Sequence, residues 1–213
     1  MTQSAMPTNV LGRKQEQVIQ AARDLFLQHG FEGATMNMIA AQAEVSKATL
    51  YAYYPTKEQV FVAVIQREVT TLRATIMSTS EDESRPIRDK LLEIGNTVIC
   101  AATMPDHVFF FRAIIAATLR FPELGRIINQ DFRAPLRDSV AQMLLQASQK
   151  GELSCPDPQF AAQTFLSIVR GDVAMTALFD ASAARQLQAG IHEHVRESVE
   201  VFLRAFGGGG GVE

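Results

Sequence analysis

The sequence predicts an all-α protein, and three observations support this fold class. Apolar residues recur every three or four positions along almost every segment, which is the period of a helix with one buried face. Alternating apolar runs joined by a hairpin turn, the usual signal of β-strands, are nearly absent. Thr, Ser, Pro and Gly stand at the edges of the apolar runs, where helices begin and end.

The first predicted helix runs from Lys14 to His29. Gly30 follows it and can end a helix by taking a left-handed conformation. The apolar positions of this helix share one face, and they are Val18, Ala21, Ala22, Leu25 and Phe26. We therefore expect this face to form the core of an N-terminal domain.

Two short helices joined by a tight turn are predicted next. Thr35 can cap the first of them, over 36–43, and Ser46 can cap the second, over 47–53. Pro55 ends the second helix, because a residue that precedes proline is driven away from helical dihedral angles. The pair has the form of a helix-turn-helix, whose second helix can enter the major groove of DNA while the first braces it.

The rest of the chain is predicted to be a larger set of helices. A long helix begins at the capping box Thr56–Gln59, and a polar, acidic stretch over 78–86 follows it. Five further helices are predicted at residues 87–103, 107–119, 122–150, 158–179 and 183–206, and the third of them is either continuous or broken near 132–135. The domains expected are a helix-turn-helix domain at 10–56, a helical domain at 57–206 and a flexible glycine-rich tail at 207–213.

The overall composition is that of an ordinary globular protein, with 47% hydrophobic and 20% charged residues. The net charge is -3, and residues 10–60 hold five basic and five acidic side chains, so charge does not predict DNA binding. No apolar run is as long as the ~18 residues of a membrane span, and the N-terminus lacks a signal-peptide core. We therefore expect a cytoplasmic protein with no membrane partner.

The sequence offers little for an enzyme. It contains no Gly-rich phosphate loop, no metal-ligand spacing, and no Ser, His and Asp arrangement of a hydrolase. Cys100 and Cys155 are isolated, which favours two reduced thiols over a zinc site or a disulfide framework. We expect no catalytic residues, no metal site and no cofactor.

The second short helix carries the residues that suggest a function. Leu50 is expected to face the core, whereas the other large or polar side chains of the helix are expected to face outward, namely Lys47, Thr49, Tyr51 and Tyr53. Such groups are unusual together on a solvated helix of seven residues, but they suit contacts with phosphate oxygens and base edges. The alternative is that the tyrosines pack between helices, and for Tyr53 the two interpretations are equally good.

Residues 14–65 resemble the N-terminal domain of the TetR family of repressors. The resemblance rests on the F-x-x-x-G-F segment at 26–31, on VSKATLYAYY at 45–54, and on a proline followed by a Lys-Glu pair at 55–58. It implies an all-helical homodimer whose two N-terminal domains bind double-stranded operator DNA. Glu44 departs from the family pattern, which often has Gly in this turn, where a left-handed non-glycine residue costs about 1 kcal/mol.

The same resemblance assigns DNA contacts to individual residues. It implies contacts with phosphates or bases by Thr35, Ser46, Lys47, Thr49, Tyr51, Tyr54 and Lys57. Thr35 and Lys57 are placed by it at helix starts, where a phosphate is favoured. Two DNA-reading domains in one dimer predict a palindromic operator with half-sites about 34–36 Å apart.

The C-terminal domain is implied by the resemblance to bind a small-molecule effector, expected to be hydrophobic, that releases the DNA. Residues 104–121 are rich in large apolar groups, which predicts a helix buried on several sides. Candidate ligand-binding residues are Met104, His107, Phe111, Arg112 and Ile115. Plain core packing is the alternative for each of them, and Arg112 can instead form a salt bridge with an aspartate.

The last two long helices carry more apolar residues than one face requires. Small residues such as Gly171 and Ala174 suit close packing across a two-fold axis, and family dimers pair such helices. Packing within one chain is the alternative. Three functions remain to be compared: a ligand-responsive DNA-binding regulator, most simply a repressor; a helical enzyme or carrier; and a dimer that acts through protein partners without binding DNA.

Overall fold

The computed structural model describes residues 8–82, 84–118, 121–180, 186 and 188–207. Its helices are α1 (Thr8–Gly33), α2 (Met36–Gln42), α3 (Lys47–Tyr53), α4 (Lys57–Glu81), α5 (Ile87–Thr103), α6 (Pro105–Ala117), α7 (Pro122–Arg126), α8 (Ala134–Gln149), α9 (Pro158–Phe179) and α10 (Ile191–Phe206). A π-helical segment, Ile127–Arg133, joins α7 to α8, and a 3-10 turn, Gln188–Gly190, precedes α10. The predicted all-α class is therefore confirmed.

The chain divides into two compact units, unit 1 up to Glu68 and unit 2 from Val69 onward. The division falls inside α4, whereas the sequence suggests a boundary after residue 56. The physical reason for the difference lies in the first turns of α4, which pack within unit 1. There the rings of Phe61 and Phe26 meet edge to face at 5.4 Å, and Arg23 pairs with Glu68 at 3.1 Å.

Unit 1 has the core that the sequence predicts. All five residues of the apolar face of α1 are buried, and so is Leu50 of α3. Three phenylalanines fill the centre of the unit, because the ring of Phe31 lies 5.8 Å from that of Phe26 and 5.0 Å from that of Phe61. These contacts tie the end of α1 to the beginning of α4.

Helix α1 breaks at Gly30, as the sequence predicts, but the backbone there is not that of a left-handed cap. Gly30 has φ 73° and ψ 170°, a combination that is almost restricted to glycine. The chain then makes one more helical turn, to Gly33, before Thr35. The extended ψ angle accounts for the difference, since it lets the chain resume a helix in a new direction rather than end it.

Unit 2 is built around α5, α8, α9 and α10, which pack on one another. Its core contains Phe165 and Phe202, whose rings meet at 5.4 Å. Helix α9 is bent at Gly171, where φ is 46° and ψ is -151°. Nε2 of His194 lies 2.8 Å from the carbonyl oxygen of Val169 beside this bend, so α10 satisfies a backbone group that the bend exposes.

Two further predictions concern the ends of the chain and the membrane. The predicted tail lies outside the described residues apart from Gly207, and so do residues 183–185 and 187 of the predicted last helix. Within the described ranges, no single helix has the length and apolar composition to cross a membrane. Only α5 and α6 taken together reach them, and this pair is bent by 63°.

Candidate nucleic-acid interface

Helices α2 and α3 begin at side-chain caps that the sequence predicts. Oγ1 of Thr35 accepts a hydrogen bond of 3.2 Å from the backbone N–H of Met38. Oγ of Ser46 accepts one of 3.0 Å from the N–H of Thr49, and the two hydroxyls of Ser46 and Thr49 also lie 2.8 Å apart. Each cap satisfies a backbone donor that a helix start leaves without a partner, so the beginnings of both helices are well defined.

The turn between α2 and α3 is a Schellman motif. The N–H of Val45 donates to the carbonyl of Ala40 at 3.1 Å, and the N–H of Glu44 donates to the carbonyl of Ala41 at 3.2 Å. These two bonds define the motif, which requires a left-handed residue just after the helix. Glu44 occupies that position with φ 53°, and it is the one described non-glycine residue with a positive φ.

The outward face of α3 is defined by its single buried residue. Leu50 is fully buried, which orients the helix so that Lys47 and Tyr51 are exposed, Tyr51 by 47%. Thr49 is half-buried, and Ala48 is exposed. The small side chain of Ala48 leaves the groups on either side accessible, so α3 presents an ammonium and a phenol to the solvent.

Tyr54 is placed differently from Tyr51. Only 8% of its surface is exposed, and its hydroxyl accepts a hydrogen bond of 3.0 Å from the side-chain amide of Gln15 in α1. Burial raises the pKa of the Tyr54 hydroxyl, which keeps its own proton to donate. A contact with DNA by this residue can therefore involve little more than the hydroxyl.

Lys57 has its ammonium group directed into unit 1. Nζ donates to the backbone carbonyls of Phe31 at 2.7 Å, Ala34 at 3.1 Å and Glu32 at 3.3 Å. It also lies 4.5 Å from the centre of the Phe31 ring, within the range of a cation–π interaction. The first turn of α4 is thereby tied to the segment that leads into α2.

Several charged side chains of unit 1 form ion pairs with one another away from α3. Arg23 pairs with Glu68 at 3.1 Å, and Arg67 pairs with Glu16 at 3.0 Å. These ion pairs lie between α1 and α4. The even count of basic and acidic residues in this region therefore says little about the surface around Lys47.

Of the residues proposed from sequence as a ligand site, four lie on α6 and Met104 directly precedes it. Three of the five are exposed. Met104, Phe111 and Ile115 form an outward stripe, whereas Val108 and Ile114 are buried. Val108 and Phe110 are two residues apart, and so on different sides of the helix, yet both are buried, whereas the stripe is exposed. The helix is therefore buried on some sides, but not all round. The role of this stripe as a ligand site stays a prediction.

Arg112 and His107, the other two candidates, are half-buried on the same helix. Nε of Arg112 donates to the carbonyl of Leu178 at 2.6 Å, and an Nη donates to that of Ala177 at 3.1 Å. Arg112 therefore stabilises the end of α9, where helix carbonyls lack partners. This is not the salt bridge with an aspartate that the sequence offered as an alternative.

Helices α9 and α10 keep several apolar side chains at the surface. Their inner faces pack within the chain, as one of the two alternatives predicts, and include Phe165, Val195 and Phe202. Exposed large apolar residues remain on the outside, namely Phe160, Met175, Phe179 and Val201. Packing within one chain therefore accounts for only part of the apolar excess.

Comparison with known proteins now identifies the family. Residues 18–64 match the family described as bacterial regulatory proteins, tetR family, and residues 89–208 match the C-terminal domain of AefR-like transcriptional repressors. The regulator RutR of Escherichia coli K12 is 34% identical over 165 residues, which cover 75% of this chain and 76% of RutR. The chain belongs to the TetR family of transcriptional regulators.

Two solved structures resemble this TetR-family regulator over most of its length. A TetR-family regulator from Mesorhizobium loti MAFF303099 has a TM-score of 0.85 at 27% identity, covering 92% of this chain and 98% of that one. The flavonoid-responsive regulator FrrA has a TM-score of 0.68 at 31% identity, with the same coverage of both chains. The family consists of DNA-binding regulators and not of enzymes.

Sequence reasoning missed two features of this TetR-family site. It assigned no role to Gln15, which holds the hydroxyl of Tyr54. The spacing of four residues between Leu50 and Tyr54 is a signal that could have indicated burial of the tyrosine, since such residues share a helix face. The direction of the Lys57 side chain had no local signal, because its carbonyl partners lie 23 to 26 residues away.

Proposed function

We propose that the protein is a homodimeric repressor that acts in the cytoplasm, binds a palindromic operator and leaves it when a small hydrophobic effector binds. The observation that carries the proposal is the exposed pair Lys47 and Tyr51 on α3, a helix oriented by the Ser46 cap and by buried Leu50. A helix held in this way can enter the major groove with a defined face toward the bases.

The proposed DNA contacts divide by chemistry. Thr35, at the start of α2, is assigned to a phosphate, which a helix N-terminus attracts. Ser46, Lys47 and Thr49, at the start of α3, are assigned to the DNA backbone or to base edges. Tyr51 and Tyr54 are assigned to a phosphate or a base, Tyr54 through its hydroxyl. The seventh residue of the set proposed from sequence, Lys57, is considered separately below.

The proposed dimer pairs α9 and α10 of two chains. Support comes from the four exposed apolar residues of these helices, which include Phe160 at 62% and Val201 at 51% exposure. Exposed apolar surface of this kind marks an interaction site in a protein of ordinary composition. Charged residues surround Val201 on the same face of α10, in both signs, as Glu197 and Arg204. A two-fold axis can bring such opposite charges together.

The proposed effector site lies in unit 2, and α6 is the first element to test. FrrA, which is 31% identical, is described as flavonoid-responsive, and a flavonoid is a small, largely apolar molecule. The exposed stripe of Met104, Phe111 and Ile115 offers apolar contacts, and the neighbouring His107 and Arg112 offer polar ones.

The experiment that tests the proposed function is a fluorescence-anisotropy titration of the full-length protein with DNA from upstream of its own gene. A scrambled duplex of the same composition is the control, and both are measured at about 50 and 200 mM salt. We expect selective binding that weakens steeply with salt. Equal affinity for both duplexes rejects operator recognition, and no binding to either favours the alternative of a regulator that acts through protein partners.

A further inference from the structure

We propose that Lys57 positions α2 for DNA binding and does not itself contact a phosphate. The inference rests on the proposed function, because it concerns how unit 1 presents Thr35 and α3 to DNA. It assigns the lysine that begins α4 to the interior of the binding unit. This differs from the role implied by its place at a helix start.

The geometry of the ammonium group is the first argument. An ammonium has three N–H donors, and Nζ of Lys57 has three backbone carbonyls within hydrogen-bond distance, at 2.7, 3.1 and 3.3 Å. The Phe31 ring lies 4.5 Å from the same nitrogen on a further side. The donors of the group are thus used within unit 1. A phosphate contact would exchange several of these interactions for one.

The identity of the carbonyls is the second argument. Phe31 and Glu32 belong to the last turn of α1, after the break at Gly30, where carbonyls lack helical partners. A cation is favoured at that negative end of a helix. Lys57 therefore holds in place a short turn that has few bonds of its own.

The third argument concerns what this turn leads to. Ala34, whose carbonyl Lys57 also binds, directly precedes Thr35, the residue that caps α2. One ammonium group thus fixes the distance between the start of α4 and the start of α2. Because α2 leads through a two-residue turn into the cap of α3, a shift at Ala34 moves the whole helix-turn-helix relative to the rest of unit 1.

Salt dependence separates a positioning lysine from one that contacts a phosphate. The slope of log affinity against log salt changes by about 0.9 for each phosphate contact that is lost. We therefore compare wild type with Lys57→Met and with Lys47→Met, a matched control on the exposed face of α3. We expect Lys57→Met to bind the operator about tenfold more weakly with an unchanged slope, and Lys47→Met to show a shallower slope by about 0.9.

Lys57→Arg sharpens the test because it keeps the charge. A planar guanidinium cannot direct three donors at carbonyls that converge on one nitrogen, whereas it binds phosphate at least as well as an ammonium. We expect Lys57→Arg to bind as weakly as Lys57→Met. The inference is overturned if Lys57→Arg binds the operator as tightly as wild type. It is also overturned if the slope of log affinity against log salt is shallower by about 0.9 in Lys57→Met.

Two measurements guard against a purely structural explanation. Thermal melts followed by circular dichroism give a temperature at which every variant is folded. Affinity for the scrambled duplex is then measured at that temperature. Positioning lowers operator affinity but leaves scrambled-duplex affinity unchanged, whereas a role in stability alone lowers the melting temperature and leaves both affinities unchanged. The second result overturns the inference.

If Lys57→Met does not fold, Phe31→Leu serves instead, since it removes the ring beside the ammonium and keeps the lysine. We expect weaker operator binding with an unchanged slope, and unchanged operator affinity overturns the inference. Failure of wild type to distinguish the two duplexes overturns the proposed function and this inference with it. Selective wild-type binding combined with a shallower Lys57→Met slope overturns only the role of Lys57.

Discussion

Helices α3 and α6 expose large side chains to a similar degree, but the chemistry of those side chains differs. Tyr51 on α3 is 47% exposed and Ile115 on α6 is 52% exposed. The large exposed groups of α3 end in a hydroxyl or an ammonium. Water forms hydrogen bonds with both when no DNA is bound, so their exposure costs little. The exposed stripe of Met104, Phe111 and Ile115 is apolar, although Asp106 in the first turn of α6 is exposed as well. The difference teaches that similar exposure can accompany opposite chemistry, so the partners proposed for the two surfaces differ in polarity: DNA for α3 and an apolar effector for α6.

The two helices also differ in how they are held. Helix α3 is oriented by its own cap at Ser46 and by Leu50, both within seven residues of Tyr51. Helix α6 is held partly by Arg112, whose carbonyl partners in α9 lie 65 and 66 residues away. The DNA-binding face is therefore a local construction, whereas the surface of α6 depends on the packing of unit 2. The following substitutions test this comparison.

The largest effect is expected from Tyr51→Ala and Lys47→Met. Each removes a proposed direct contact with DNA, and such contacts are worth about 1–3 kcal/mol, so operator affinity falls by roughly 5- to 150-fold for each. Melting temperature and dimerisation stay unchanged because both residues are exposed. Fluorescence anisotropy measures the affinity. The control is Lys150→Met, an exposed lysine of unit 2, and unchanged binding by Tyr51→Ala contradicts the assignment.

The second largest effect is expected from Gly30→Ala in unit 1 and Gly171→Ala in unit 2, which compare the loss of stability caused by backbone strain in the two units. Both glycines have positive φ with an extended ψ, which costs another residue about 1–3 kcal/mol. An added Cβ meets nothing within 4 Å at Gly30 and only His194, at 3.6 Å, at Gly171, so strain in the backbone dominates both losses.

Urea denaturation measures these losses, and anisotropy measures DNA binding of the folded variants. We expect Gly30→Ala to weaken operator binding as well, because it alters the turn that Lys57 holds. Gly171→Ala leaves operator binding by the dimer unchanged. If Gly30→Ala and Gly171→Ala bind the operator with equal affinity, the prediction that only the substitution in unit 1 weakens DNA binding is wrong.

The third effect is on the dimer. Val201→Glu replaces an exposed apolar residue of the proposed interface by a further acidic group beside Glu197, and we expect the dimer to dissociate about tenfold more readily, since an unpaired charge in an interface is penalised. Ile115→Glu is the matched control, since the two residues are 51% and 52% exposed. Analytical ultracentrifugation measures the monomer–dimer equilibrium. Dissociation by Ile115→Glu in place of Val201→Glu assigns the dimer face to α6 and rejects the proposed pairing.

The smallest effect is expected from Glu44→Gly. Glycine removes the left-handed strain of about 1–2 kcal/mol but also gives the unfolded chain about 0.4–1 kcal/mol of extra entropy, so stability rises by about 0.5 kcal/mol. Glu44→Gln controls for the lost charge. By contrast, Ala41→Gly inside α2 destabilises by about 1 kcal/mol. Urea denaturation midpoints measure the stability of the three variants. If Glu44→Gly is less stable than wild type, the glutamate side chain itself contributes to the stability of the turn.

The sequence by itself determined the helical class, the caps at Thr35 and Ser46, the buried face of α1 and the outward face of α3. These features depend on residues within about one or two helical turns of one another, so periodicity and capping are sufficient to predict them. The resemblance to the TetR family depended on the same short stretch. The family and its fold were confirmed by the comparisons, whereas the individual DNA contacts stay predictions.

Only the tertiary structure decided how the longer side chains are used. It directed Lys57 to the carbonyls near the end of α1, buried Tyr54 beside Gln15, left Phe111 and Ile115 of α6 exposed and placed Arg112 at the end of α9. Each of these outcomes joins groups 23 to 66 residues apart or depends on which face of a helix finds a neighbour. Local period and capping carry no information about such encounters, because a long or apolar side chain is compatible with several partners until the helices pack.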